Sequence, residues 1–122
     1  MSGDDYNKLL NGSRVLVGAA ALAAPGQAFR GAGLDDRRNP QLPFMTRMFG
    51  VRDLVLGAGA LSTSGEERRR WIRLTVAADA VDALAAIAGH RAGYLSTRGA
   101  VMLALTATAG TALGVAALTS SE

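Results

Sequence analysis

The chain has 122 residues, enough for one domain, and is 49% hydrophobic and 19% charged, with 15 glycines and no cysteine. The missing cysteine excludes disulfides, thiolate catalysis and cysteine-ligated metal. The net charge of +3 and pI near 10.2 come from arginines that flank apolar stretches and form no basic face, which argues against nucleic-acid binding.

The first apolar stretch covers residues 15–29 and extends back to Leu9 once Asn11, Ser13 and Arg14 are accepted. Pro25 predicts an end or a kink there, because proline lacks the N–H donor and clashes with the preceding turn. Lys8 and Arg14 ahead of an apolar core, then small residues (LAAPGQA), also fit a cleaved secretory signal, but Asp4 and Asp5 spoil its basic start. The stretch is therefore read as retained. A polar break over 30–43 follows, with Asp35, Asp36, Arg37, Arg38 and Pro40. The second stretch, 44–62, carries Arg47, Arg52 and Asp53, and residues 63–70 (TSGEERRR) read as a charged turn. The third stretch, 71–89, begins at Trp71, where an interfacial aromatic would sit, and holds Asp79 and Asp82. A turn over 90–98 leads into residues 99–118, twenty consecutive positions without a charge.

Roughly 20 apolar residues of helix cross a bilayer core. No stretch alternates with period two, all four are helix-length, and the connections are short. The expectation is an all-α, integral membrane four-helix up-down bundle forming one domain, with spans at 9–29, 44–62, 71–89 and 99–118. A soluble Ala-rich bundle is the other reading, with Asp79 and Asp82 facing water. The uncharged fourth stretch argues against it, since a soluble surface helix shows a polar stripe. An even number of spans puts both termini on one side, with Lys8, Arg14, Arg68, Arg69, Arg70 and Arg73. The other side has Arg30, Arg37, Arg38, Arg91 and Arg98, so a one-residue excess leans the termini toward the cytoplasm.

Charges at membrane depth are costly and pair or face wet cavities. The candidate polar cluster is Arg14, Arg47, Arg52, Asp53, Asp79 and Asp82, three of each sign. Asp79 and Asp82, three apart, share a helix face, and Thr46, Gly50, Asp53 and Gly57 form a second stripe. Arg14 and Arg47 lie near the starts of their spans, where they can snorkel to headgroups. Arg52 points about 100° from Asp53 in a helix. Gly50, Gly57, Gly110 and Gly114 are packing candidates; the last two form a small-residue motif serving either the bundle or dimerisation. His90, the one histidine, reads as interfacial, and no metal-ligand spacing, phosphate loop or serine elbow occurs.

The segment FMTRMFGVRDLVLG, residues 44–57, resembles a motif of small actinobacterial four-span membrane proteins, domain of unknown function 4267. More distantly, the layout resembles DoxX-like four-helix membrane proteins. Arg47, Phe49, Gly50, Arg52 and Asp53 stand at the motif positions, and Asp79 and Asp82 match an acidic pair in the third helix. The resemblance implies four spans with the first one kept, and implies no activity. For the cluster, three roles stay open: helix-bracing ion pairs, a polar site that binds or converts a small lipid-soluble molecule, and a proton or ion path. In the second role Arg52 holds a ligand oxygen and Asp79 or Asp82 exchanges a proton. The expected partners are the lipid bilayer, a hydrophobic small molecule, and a second copy or a larger membrane complex. No cofactor and no metal is expected.

Overall fold

The computed structural model describes every residue except Asp36, Arg38, Ser121 and Glu122, so the parts of the polar break and of the arginine count that fall on Asp36 and Arg38 lie outside the described residues. Five helices and no strand occur among the described residues: α1 (Gly3–Ala23), α2 (Pro25–Gly31), α3 (Leu42–Ser62), α4 (Gly65–Arg91) and α5 (Thr97–Thr119).

Local chemistry sets the ends of these helices. Ser2 caps α1 in a reciprocal box: its hydroxyl accepts from the Asp5 N–H, and the Asp5 carboxylate accepts from the Ser2 N–H. Proline disfavours helical geometry in the residue before it, and Ala24 leaves the helix at φ −139°, ψ 66°. Pro25 then opens the seven-residue α2, so the first apolar stretch is two helices. A proline also sits in the first turn of α3. Gly93, at φ +87°, takes the left-handed conformation that stops α4, and Ser96 caps α5 by accepting from the Gly99 N–H. The charged segment 63–70 is not a turn as expected: α4 begins at Gly65, with Glu66 and Glu67 in its first turn, where the helix dipole favours acidic residues.

The four long helices run up and down. They neighbour one another in the order α1, α3, α4, α5 and back to α1, with α2 against α1 and α3. Their buried residues fall at alternating spacings of three and four. On α1 these include Asn7, Asn11, Arg14, Gly18 and Ala21; on α3, Thr46, Gly50, Asp53, Gly57 and Ala60; on α5, Ala107, Gly110, Gly114 and Ala117. This is the seam of helices packed nearly antiparallel. The seam residues are small or polar. A Cβ on Gly18 would lie 2.7 Å from the Gly50 carbonyl oxygen, and one on Gly50 2.8 Å from the Gly18 carbonyl oxygen. Across α4 and α5, a Cβ on Gly110 would overlap the Asp79 carboxylate, and one on Gly114 the Val76 side chain. Gly110 and Gly114 are thus occupied within the bundle and offer no free dimer face.

The distribution of polarity is inverted. The largest fully buried side chains are Asn7, Asn11 and Thr75, whereas Leu16, Leu84 and Leu105 are 73%, 66% and 67% exposed. Buried apolar residues are mostly alanines, and an apolar core cluster at the end of the bundle consists of Ala60, Ile72 and Ala117. Among the described residues α5 alone is long and apolar enough to cross a membrane by length and composition, and only 22% of its most apolar window is buried. The core helix of a water-soluble domain would be largely covered.

Candidate functional site

Three helices supply the charges found in the middle of the bundle. Arg14 on α1 is 7% exposed and lies between two carboxylates, Asp53 on α3 (4%) and Asp79 on α4 (6%). One of its terminal nitrogens donates to Asp53 Oδ1 at 3.0 Å and the other to Asp79 Oδ2 at 2.5 Å. A long side chain is needed, because α1 and α4 face each other across the bundle and are not packed neighbours. Arg52 is half-buried and makes a two-pronged contact with Asp82, at 2.9 Å and 2.6 Å, the planar fork geometry that suits guanidinium and carboxylate. Its guanidinium lies 4.9 Å from the centre of the Phe49 ring and 3.6 Å from Asp53 Oδ1. The five groups form one chain of contacts: Asp79, Arg14, Asp53, Arg52, Asp82.

The sequence-predicted cluster is assembled with three corrections. Arg47 does not join it; it is exposed, and its Nε donates to the Leu22 carbonyl at 3.4 Å. Arg14 does not snorkel but is the buried hub. Arg52 and Asp53, neighbours on a helix and divergent at Cβ, still touch, because the long arginine side chain bends back. Asp79 and Asp82 share a face as expected, but each takes a different arginine. Among the described residues no group of three or more His, Cys, Asp or Glu is placed to hold a metal ion. His90 is exposed and sits 3.0 Å from the Leu95 carbonyl at the end of α4.

Two polar residues escaped the sequence reading. The Asn7 amide donates to the Ala60 carbonyl at 3.2 Å, tying α1 to α3, and the Asn11 amide donates to Asn7 Oδ1 at 2.8 Å. Their positions four apart, with Arg14 three further on, were the available signal: a polar stripe along one helix face. Arg14 Nε and Asn11 Oδ1 are buried and have no hydrogen-bond partner among the described residues.

Beside the charges lies an open-sided groove of about 1250 Å³. Arg14, Asp53, Asp79 and Asp82 line it, whereas Arg52 does not; Arg52 braces Asp82 from behind. From the charges the groove extends toward the end of the bundle made by α2, the 39–42 segment and the 94–95 turn, between walls that include Val17, Phe29, Met45, Leu103 and Leu113. It is a long apolar slot with an ionic inner end. No family model, curated protein or solved structure matches the chain.

Proposed function

We propose that the chain is a four-span bundle of the cell membrane that binds a small lipid-soluble molecule in this groove, with the molecule's polar group at the ionic end. The observation that carries the reading is the inverted polarity. Exposed apolar patches of this extent are disfavoured in water, and buried asparagine, arginine and aspartate are what a bundle dissolved in lipid must turn inward. At 1.5 Å per residue α3 is about 31 Å long and α5 about 34 Å, a match to a hydrocarbon core of roughly 30 Å. Among the described residues the five charges of the ionic chain lie in the middle of the bundle, and Arg47, like Lys8, stands in the second turn of its helix. Lys8, Arg73, Arg91 and Arg98 lie toward the two ends, as headgroup-facing residues do.

Within that bundle Arg14 and Asp79 form the inner end of the site, and Asp82 is held at its wall by Arg52. This revises the expected role of Arg52, which positions a lining residue and does not itself face the groove. Conversion of the bound molecule would fall to Asp79 or Asp82, the carboxylates that face it.

The test is purification in a mild maltoside detergent, followed by identification of co-purifying small molecules and proteins by mass spectrometry. A tightly held small molecule that is lost in Asp79→Asn supports the reading. A second reading draws on the saturation of Arg14 by two carboxylates: the charges only brace the helices of a subunit in a larger membrane complex. A stoichiometric protein companion with an empty groove selects that one.

A further inference from the structure

We infer that the groove's occupant is an organic cation, a positively charged head on an apolar body, seated with its head beside Asp53 and Asp79. This rests on the groove-binding reading above and adds the charge of what is bound.

The first observation is the count of charges. The ionic chain sets two guanidinium groups, Arg14 and Arg52, against three carboxylates, Asp53, Asp79 and Asp82, a formal sum of −1. The third arginine that would balance the set, Arg47, is on the surface and reaches the Leu22 carbonyl instead. No other helix makes up the deficit: α5 contributes Thr106 and Gly110 to the lining, and the 94–95 turn contributes Tyr94.

The second observation is placement. The groove sees all three carboxylates but only one of the two arginines. Both terminal nitrogens of Arg14 are spent, one on each of its partners, and each partner uses a single oxygen for it. The second oxygens, Asp53 Oδ2 and Asp79 Oδ1, accept no hydrogen bond from any described residue, and neither is a fully buried atom without a partner. They are acceptors on groove-lining residues with room for a positive neighbour. An anionic ligand would add a second uncompensated negative charge, and a neutral one would leave the deficit to be met by a proton on one of the carboxylates. A cation brings the sum to zero while the apolar walls take its body.

The experiment is equilibrium dialysis of the purified chain in maltoside micelles, with protein-free micelles subtracted. The two probes are benzyltrimethylammonium and its uncharged carbon isostere neopentylbenzene. One net charge in a medium of intermediate dielectric predicts that the cation binds at least about tenfold more tightly than the isostere. Asp82→Asn brings the formal sum to zero at a half-buried position without touching the Arg14 bridge. It is expected to lower cation affinity about tenfold and to narrow the cation-to-isostere ratio by the same factor. Asp79→Asn makes the same charge change at the inner end and is expected to lower cation affinity at least as much, while also removing an acceptor of Arg14. Equal binding of both probes, or preference for the isostere, overturns the cation inference but keeps the groove as a site. Binding of neither probe overturns both readings.

Discussion

Arg14 is the joint on which α1, α3 and α4 meet, and replacing it by glutamine tests the energetics most sharply. The substitution leaves Asp53 and Asp79, 4% and 6% exposed, facing each other without a cation between them. At an effective dielectric near 20 and a charge separation of roughly 4 Å, each lost attraction is about 4 kcal/mol gross. Desolvation of the arginine, no longer required, offsets much of that. Measured losses on breaking one partner from a buried pair are about 3–5 kcal/mol, and this arginine serves two partners. Arg14→Gln is expected to lose at least about 3 kcal/mol, a fall in Tm on the order of 10 °C by circular-dichroism melting in maltoside micelles. The triple variant Arg14→Gln, Asp53→Asn, Asp79→Asn removes the stranded charges and keeps the neutral Arg52–Asp82 pair, so it should regain most of the loss. A single variant that melts within about 2 °C of the parent, or a triple variant no more stable than the single, would mean that Arg14 does not hold the two carboxylates in the bundle.

Other expectations follow from local contacts. Gly110→Val drives a side chain into the Asp79 carboxylate and should cost about 1–3 kcal/mol in the same melts. Gly12→Ala meets nothing within 4 Å inside α1 and should instead stabilise by about 0.5–1 kcal/mol. Arg47→Ala, outside the ionic chain, should change stability by no more than about 0.5 kcal/mol, which separates it from Arg14 and Asp53. The Asp5 carboxyl is held below its usual value of 3.8, first by the Ser2 backbone N–H and then by the Ser2 hydroxyl. A depressed folded-state value contributes stability above the unfolded value, lost as pH falls through the folded one. Asp5→Asn should therefore flatten the small loss of helicity on acidification below about pH 4, measured by circular dichroism.

Much of the helical layout was legible because its causes are local. Pro25 announced the break before α2, and the absence of charge over 99–118 marked α5. The stripe Thr46, Gly50, Asp53, Gly57 is buried as its spacing implies. The start of α4 was misread because EERRR looks like a solvated turn, although glutamate and arginine are good helix formers and sit well at an exposed helix start. Ion-pair partners were less legible. A helical periodicity fixes the direction of Cβ, whereas an arginine head lies several bonds further on. Because α1 begins at Gly3, Arg14 lies at mid-helix and turns inward, whereas Arg47, in the second turn of α3, turns out. The balanced set of three arginines and three aspartates failed on that point. Asn7 and Asn11 were overlooked because a hydropathy scan treats them as interruptions of an apolar run, when they belong to its inward face.

In the proposed bundle the outer face meets lipid and the inner face carries the charge. The chain has no cysteine, so single cysteines can be placed at Leu16, Val55, Leu84 and Leu105 on the outer face and nitroxide-labelled in bilayers. Paramagnetic collision rates then compare an apolar relaxant, oxygen, with a water-soluble nickel chelate. High oxygen and low nickel accessibility at all four positions is the predicted result. Nickel accessibility at these positions matching that of a label at Glu67, on the exposed first turn of α4, would put the outer face in water.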